Sequence, residues 1–238
     1  DIEGFWRSIW DYFNIEADGD PTQVLSTHQM PGAQWFPDTR LNYAEHIFRN
    51  ATDQHPAIIA RCEGDAPIEV SWQQLQRDVG ALAATLRGLG IVPGDRVVAY
   101  LSNVPQTVVA FLACASIGAI WSSCAPEMGV SVVLDRFQQI QPKLIFATDS
   151  YTYAGKTFDR RAVLNEVLQA LPEIAHLIHV PGPLFKPGET TLPWRGTIAW
   201  SEAVAKPAPL KFERLPFSHP LWVVYSSGTT GLPKAMVH

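Results

Sequence analysis

A run of hydroxyls and glycines closed by one lysine, Ser226-Ser227-Gly228-Thr229-Thr230-Gly231-Leu232-Pro233-Lys234, is the stretch best suited to chemistry. Glycine accepts positive φ and lets backbone come close to a ligand, so several N–H groups can converge on one anion. The serine and threonine hydroxyls add donors and the lysine adds a mobile positive charge. That combination binds phosphate. The run follows Leu221-Trp222-Val223-Val224-Tyr225, which is apolar, rich in branched and aromatic types, and reads as a short buried strand. Two other loop chemistries are excluded by spacing. A Walker A loop needs Gly-Lys-Ser/Thr at a fixed offset from its first glycine, but counting on from Gly228 lands on Pro233, and Ala235 follows Lys234. A nucleophile elbow needs a glycine two positions to each side of its serine, and neither Ser226 nor Ser227 has that flanking.

From Ser226 to Lys234 the chain fits the pattern S-[ST]-G-[ST]-T-G-x-P-K at every position. By that it resembles the phosphate loop of the adenylate-forming enzymes, the acyl-CoA synthetases and their relatives. The likeness continues upstream, through Gly94-Asp95-Arg96-Val97, Asn103-Val104-Pro105-Gln106 and Ala113-Cys114-Ala115-Ser116-Ile117-Gly118. The segment Trp35-Phe36-Pro37-Asp38-Thr39-Arg40-Leu41-Asn42-Tyr43-Ala44-Glu45 looks like the N-terminal extension of the acetyl- and acetoacetyl-CoA synthetase branch. Trp121-Ser122-Ser123-Cys124-Ala125-Pro126-Glu127, Leu134-Asp135-Arg136-Phe137 and Tyr153-Ala154-Gly155-Lys156 are similar to its acetoacetate-using members in particular. One departure is Ala235, where the wider family usually has glycine after the loop lysine.

The resemblance implies an ATP-dependent acid–thiol ligase acting through an acyl-adenylate, with Mg2+, ATP and coenzyme A as cofactors and co-substrates. It implies acetoacetate as the acid, with acetate or propionate as the alternative, or a module that holds ATP or AMP without turnover. Ser226, Ser227, Gly228, Thr229, Thr230, Gly231 and Lys234 would then hold the ATP phosphates, with Lys234 catalytic, and Lys156 would reach the coenzyme A phosphates. It also implies residues 1–45 as an N-terminal extension and 46–238 as the first part of an adenylation domain, the adenine site, acyl pocket and mobile lid lying further on.

Composition bounds the rest. Of 238 residues 47% are hydrophobic and 17% charged, with a net charge of −5, which fits a globular protein and disfavours nucleic acid held by phosphate attraction. No apolar run is long enough to span a membrane. Cys62, Cys114 and Cys124 match no zinc or redox spacing and read as reduced thiols of a cytoplasmic protein. His176 and His179, three apart in an apparent strand, face opposite ways, so no shared metal is expected. From Asp1 no leader can be read, and a loop of this kind should lead on to more sheet and helix, so a longer protein is expected.

Something must position the loop. Trp6, Ile9, Trp10 and Phe13 fall at helical spacing and predict an amphipathic packing arm. Residues 57–60 and 68–70 flank Glu63-Gly64-Asp65 and predict a hairpin. Ser71 and Gln74 predict a capping box for a helix whose stripe is Trp72, Leu75, Val79, Leu82, Leu86 and Leu89. Strands at 97–101, 119–123, 144–148 and 177–180 then alternate with helices, one capped by Asn103, one by Ser131 and one over 158–171. The strands are apolar on both faces, so the fold class is α/β, a mostly parallel sheet covered by helices. Prolines spread over 181–220 predict an extended crossing with one short helical piece near 198–204.

Overall fold

The computed structural model describes residues 1–186, 194, 196–226 and 231–238. At its centre lie five parallel strands in the spatial order Thr197–Ala199, His176–Val180, Leu144–Thr148, Arg96–Tyr100 and Ile120–Cys124. Because successive side chains on a strand point to opposite faces, each apolar run feeds two cores at once. Val97, Ala99, Phe146 and Ile178 pack on one face with Leu75, Leu82, Leu86, Val109 and Leu112 of helices Trp72–Gly88 and Pro105–Ser116. Val98, Tyr100, Ile145, Ala147 and Leu177 pack on the other with Val133, Phe137, Leu164 and Leu168 of helices Val130–Phe137 and Arg161–Ala170. Every residue of Leu144–Thr148 is buried, which explains a strand without polar alternation.

Helix Trp72–Gly88 begins where Ser71 Oγ accepts from the Gln74 N–H at 3.1 Å. The reciprocal half of the expected capping box is replaced, since Gln74 Nε2 donates to Asp78 Oδ2. On the buried side of this helix Gly80 makes room for the crossing chain: a Cβ there would lie 2.4 Å from the Ala208 carbonyl oxygen.

Two expected caps move. The helix predicted to start at Asn103 has Val104 at its cap with Pro105 at the first helical position, and the helix assigned to Ser131 starts from Gly129. Proline needs no N–H partner there and its fixed φ suits the first turn, so Pro105 sets the start. The helix predicted over 158–171 is shorter, Arg161–Ala170, because residues 150–159 form an antiparallel hairpin, Ser150–Tyr153 with Lys156–Asp159. In the crossing the short helix Trp200–Ala203 follows strand Thr197–Ala199, an edge of the main sheet.

The hairpin Ile58–Ala60 with Ile68–Val70 forms as expected. So does the amphipathic arm, helix Ile2–Tyr12, of which Trp10 is buried beside Phe36, ring centroids 4.4 Å apart. The arm is woven into the fold by a small antiparallel sheet, Asp18–Gly19, Thr39–Leu41 and Leu215–Pro216. Asn42 completes the join. Its Oδ1 caps helix Tyr43–Phe48, and its Nδ2 donates to the carbonyls of Ala115 at 2.9 Å and Glu213 at 2.8 Å, with Ser116 at 3.4 Å.

Candidate functional site

The strand expected before the glycine–hydroxyl run is Val223–Ser226, and it pairs antiparallel with Lys234–Val237. The last rung is Ser226 opposite Lys234. Both ends of the run therefore meet at one point, with the lysine beside the mouth. Ser227, Gly228, Thr229 and Thr230 lie outside the described residues. Gly231 has φ +92, a conformation that side chains avoid and glycine permits. Lys234 is exposed, and no ion-pair partner stands against it among the described residues.

This two-stranded ribbon lies against the edge strand Ile120–Cys124. Trp222 bridges Trp121 in parallel, the Trp121 N–H donates to the Leu221 carbonyl at 3.0 Å, and Ser122 Oγ donates to the Val223 carbonyl at 2.8 Å. At the loop end the support changes to helix Val130–Phe137 and the turn after it. The Tyr225 hydroxyl donates to the Arg136 carbonyl at 2.7 Å, Gln139 Nε2 donates to the Pro233 carbonyl at 2.9 Å, and the Arg136 guanidinium sits 5.8 Å from the Tyr225 ring centre. Burial pushes the Tyr225 phenol up to about 12, so it stays a protonated donor at neutral pH.

Lys156 stands elsewhere, at the tip of the 150–159 hairpin opposite Tyr153, and it is exposed. The tip is a tight turn with positive φ at Ala154 (51) and Gly155 (71). Glu63 grips it from the neighbouring hairpin, its two carboxylate oxygens accepting from the Ala154 N–H at 3.0 Å and the Gly155 N–H at 2.8 Å. Those bonds hold the Glu63 carboxyl below its usual range. The hairpin base is fixed by Asp149, which follows the central strand Leu144–Thr148. Asp149 Oδ1 lies 2.9 Å from His179 Nε2 and accepts from the Gly182 N–H, Oδ2 accepts from the Ser150 hydroxyl, and the Asp149 carbonyl accepts from the Arg160 N–H. Burial alone would raise the Asp149 carboxyl, but hydrogen bonds from His179, Gly182 and Ser150 outweigh it and hold the group at about 2. His179 Nδ1 is buried without a partner among the described residues. His179 therefore turns inward to a carboxylate, a partner that the strand spacing gave no hint of, and His176 stays at the strand start, so the two rings share nothing.

Beside this hairpin, at the carboxyl ends of strands Arg96–Tyr100 and Ile120–Cys124, lies a crevice of about 550 Å³ lined by Ser102, Asn103, Pro126, Glu127, Tyr151 and Tyr153. Carboxyl ends of parallel strands are where open α/β sheets receive ligands. A larger cavity of about 710 Å³ lies at the end of the ribbon remote from the loop, between Phe13, Tyr43, Leu215, Phe217 and Leu221, and is mainly apolar. Among the described residues no cluster of three His, Cys, Asp or Glu could hold a metal ion, and no helix is long and apolar enough to cross a membrane.

Sequence reasoning identified the loop and Lys156 from residue type, but it did not find Glu63, Tyr225 or Gln139 as supports. The first was read only as part of a turn. The other two act through carbonyls about ninety residues away, and only the fold brings those together.

Residues 47–238 match the family described as AMP-binding enzyme, and residues 1–47 the one described as acetyl-coenzyme A synthetase N-terminus. Among curated proteins the chain is 41% identical to acetoacetyl-CoA synthetase of Xenopus tropicalis and 38% to acetoacetyl-coenzyme A synthetase of Rhizobium meliloti, each alignment covering 98% of this chain and 36% of the relative. It is 32% identical to malonamoyl-CoA synthetase of Penicillium aethiopicum, over 98% of this chain and 34% of that protein. Among solved structures, acetoacetyl-CoA synthetase from Streptomyces lividans superimposes with a TM-score of 0.92 at 45% identity, covering 99% of this chain and 36% of that one. The chain thus spans about a third of the length of the proteins it matches.

Proposed function

We propose that this chain, which belongs to the AMP-binding enzyme family, is the first part of an ATP-dependent ligase that joins acetoacetate to coenzyme A. Residues 1–45 serve as the N-terminal extension and 46–238 as the opening part of the adenylation domain. In the first step a carboxylate oxygen attacks the α-phosphorus of Mg-ATP, the bond to the β-phosphate breaks, and pyrophosphate leaves. In the second the thiol sulfur attacks the acyl carbon, AMP leaves, and the thiol proton passes to water.

The observation that carries the first step is the rung between Ser226 and Lys234, which sets a lysine at the mouth of a glycine–hydroxyl loop. A positive charge and donors fixed there before reaction hold the β- and γ-phosphates and stabilise the charge that builds on departing pyrophosphate. Ser226, Ser227, Thr229 and Thr230 supply hydroxyls, and Gly228 and Gly231 supply close backbone approach. Magnesium enters with ATP as part of the substrate. The choice of acetoacetate rests on the higher identity to acetoacetyl-CoA synthetases than to the malonamoyl-CoA enzyme. Lys156, on a hairpin held at base and tip beside a crevice, is assigned to the coenzyme A phosphates. The three free thiols suit a cytoplasmic setting.

The test uses the complete gene product, assayed for acid-dependent exchange of pyrophosphate into ATP with acetoacetate, acetate and propionate. Acetoacetate is expected to be preferred, and Lys234→Ala is expected to slow exchange by about a hundredfold or more. Exchange at the unsubstituted rate in Lys234→Ala overturns the assignment of the loop, and equal rates with all three acids overturn that of the substrate.

A further inference from the structure

An isolated two-stranded ribbon is marginal in water, so the aim of a loop at its tip must come from what the ribbon rests on. Here the outer strand Lys234–Val237 is exposed along its whole length, and of the inner strand only Val223 is buried. The contacts to the edge strand, at Trp121 and Ser122, lie toward the end of the ribbon away from the loop. Fixed there alone, the ribbon could pivot and carry Lys234 with it.

The loop end has its own anchorage, and both strands reach it. From the inner strand the Tyr225 hydroxyl donates to the Arg136 carbonyl; from the outer, the Pro233 carbonyl accepts from Gln139 Nε2, whose other hydrogen goes to the Asp135 carbonyl at 2.6 Å. Tyr225 directly precedes Ser226 and Pro233 directly precedes Lys234, so the two anchors stand immediately beside the two ends of the ribbon's last rung. Both end on one helical turn, residues 135–139, whose helix is held to the sheet by the fully buried Val133 and Phe137.

From this geometry we infer that Tyr225 and Gln139 are positioning residues for the phosphate loop, fixing its direction against the parallel sheet during adenylation. The inference rests on the proposed reading of the loop as the ATP phosphate site. Neither side chain needs to touch nucleotide. They act through the ribbon, so their removal should loosen the placement of Lys234 and slow the step that depends on it, while sparing chemistry that no longer involves the β- and γ-phosphates.

The experiment compares Tyr225→Phe and Gln139→Leu with the unsubstituted complete gene product in two assays. One is acid-dependent pyrophosphate exchange; the other is thioester formation from coenzyme A and a synthetic acyl-adenylate, which bypasses the triphosphate. Each substitution is expected to lower exchange about five- to tenfold, the worth of one lost hydrogen bond at a site where placement matters. Thioester formation from the adenylate should stay within about twofold. A parallel fall in both assays, or no fall in either variant, overturns the inference. Tyr225→Phe removes a single oxygen and carries the test if Gln139→Leu fails to fold. An unsubstituted enzyme that exchanges no pyrophosphate with any short acid refutes the proposed function instead.

Discussion

Replacing Asn42 separates two roles that one side chain performs at once. Its Oδ1 caps helix Tyr43–Phe48, accepting from the Ala44 N–H at 2.9 Å, while its Nδ2 feeds the carbonyls of Ala115, Ser116 and Glu213, and the residue is 2% exposed. Asn42→Ser keeps a cap oxygen and loses the donors, which costs about 2 kcal/mol for two buried carbonyls left short of a partner. Asn42→Ala loses the cap as well, adding about 1 kcal/mol. Asn42→Asp is the instructive change, since aspartate is as good a cap as asparagine. If capping were the main contribution, it would be harmless. The structure says otherwise: an anion would face three carbonyl oxygens with no donor, and about 4 kcal/mol or more should be lost at neutral pH. Urea unfolding at pH 7, with a slope of about 2 kcal/mol per molar, should then show midpoints falling by about 1 M for Ser, 1.5 M for Ala and 2 M for Asp. Lowering the pH should recover part of the Asp deficit, because a neutral carboxyl regains one donor. An Asp variant as stable as the Ser variant at pH 7 would refute the reasoning.

Gly80→Ala, which on an exposed helix would gain about 1 kcal/mol, should here lower the melting temperature, because the new methyl meets the Ala208 carbonyl and overpacking costs about 1–3 kcal/mol. Asp149→Asn should cost roughly 2 kcal/mol at neutral pH, the equivalent of a carboxyl held at about 2 instead of 3.8. A depressed folded-state pKa stabilises above the unfolded value and ceases to as pH falls through the folded one. The stability gap between the two proteins, followed by denaturation against pH, should therefore be constant near neutrality and close between about pH 4 and pH 2. Cys62 alone of the three thiols should react rapidly with an aromatic disulfide at pH 8, with the others following only on unfolding. Cys114 and Cys124 are buried, and burial pushes Cys124 up to about 12 and Cys114 further still.

The parallel sheet was legible in the sequence because its strands are short apolar runs between strongly periodic helices. Leu75, Leu82 and Leu86 declare one face of a helix by spacing alone, and Ser71 declares its start. The loop was legible because residue types and spacing carry its chemistry locally. What stayed hidden was held in place by partners far along the chain. The 150–159 hairpin lacks apolar alternation in its exposed strands, and Phe158 was drawn into the following helix on propensity alone. Its turn depends on Glu63, some ninety residues away. Likewise nothing near His179 in sequence points to Asp149, and nothing near Asn42 points to Glu213. Backbone carbonyls and paired side chains leave no periodic trace, so such supports emerge only once the fold has brought them together.

The small sheet that weaves the arm to Leu215–Pro216 has a consequence for how the protein is born. Arg40 meets the carbonyl of Arg214 across 174 positions, and Phe36 meets the ring of Phe217 at 5.3 Å. At roughly 5–20 residues per second, a ribosome leaves the arm waiting for about 10–35 seconds before its partner strand is made. Throughout that interval Phe36 and the rings around it have no complete surface to settle on, and nascent chains would be most open to chaperones and to one another then. Slowing translation should lengthen that exposure without altering the finished molecule.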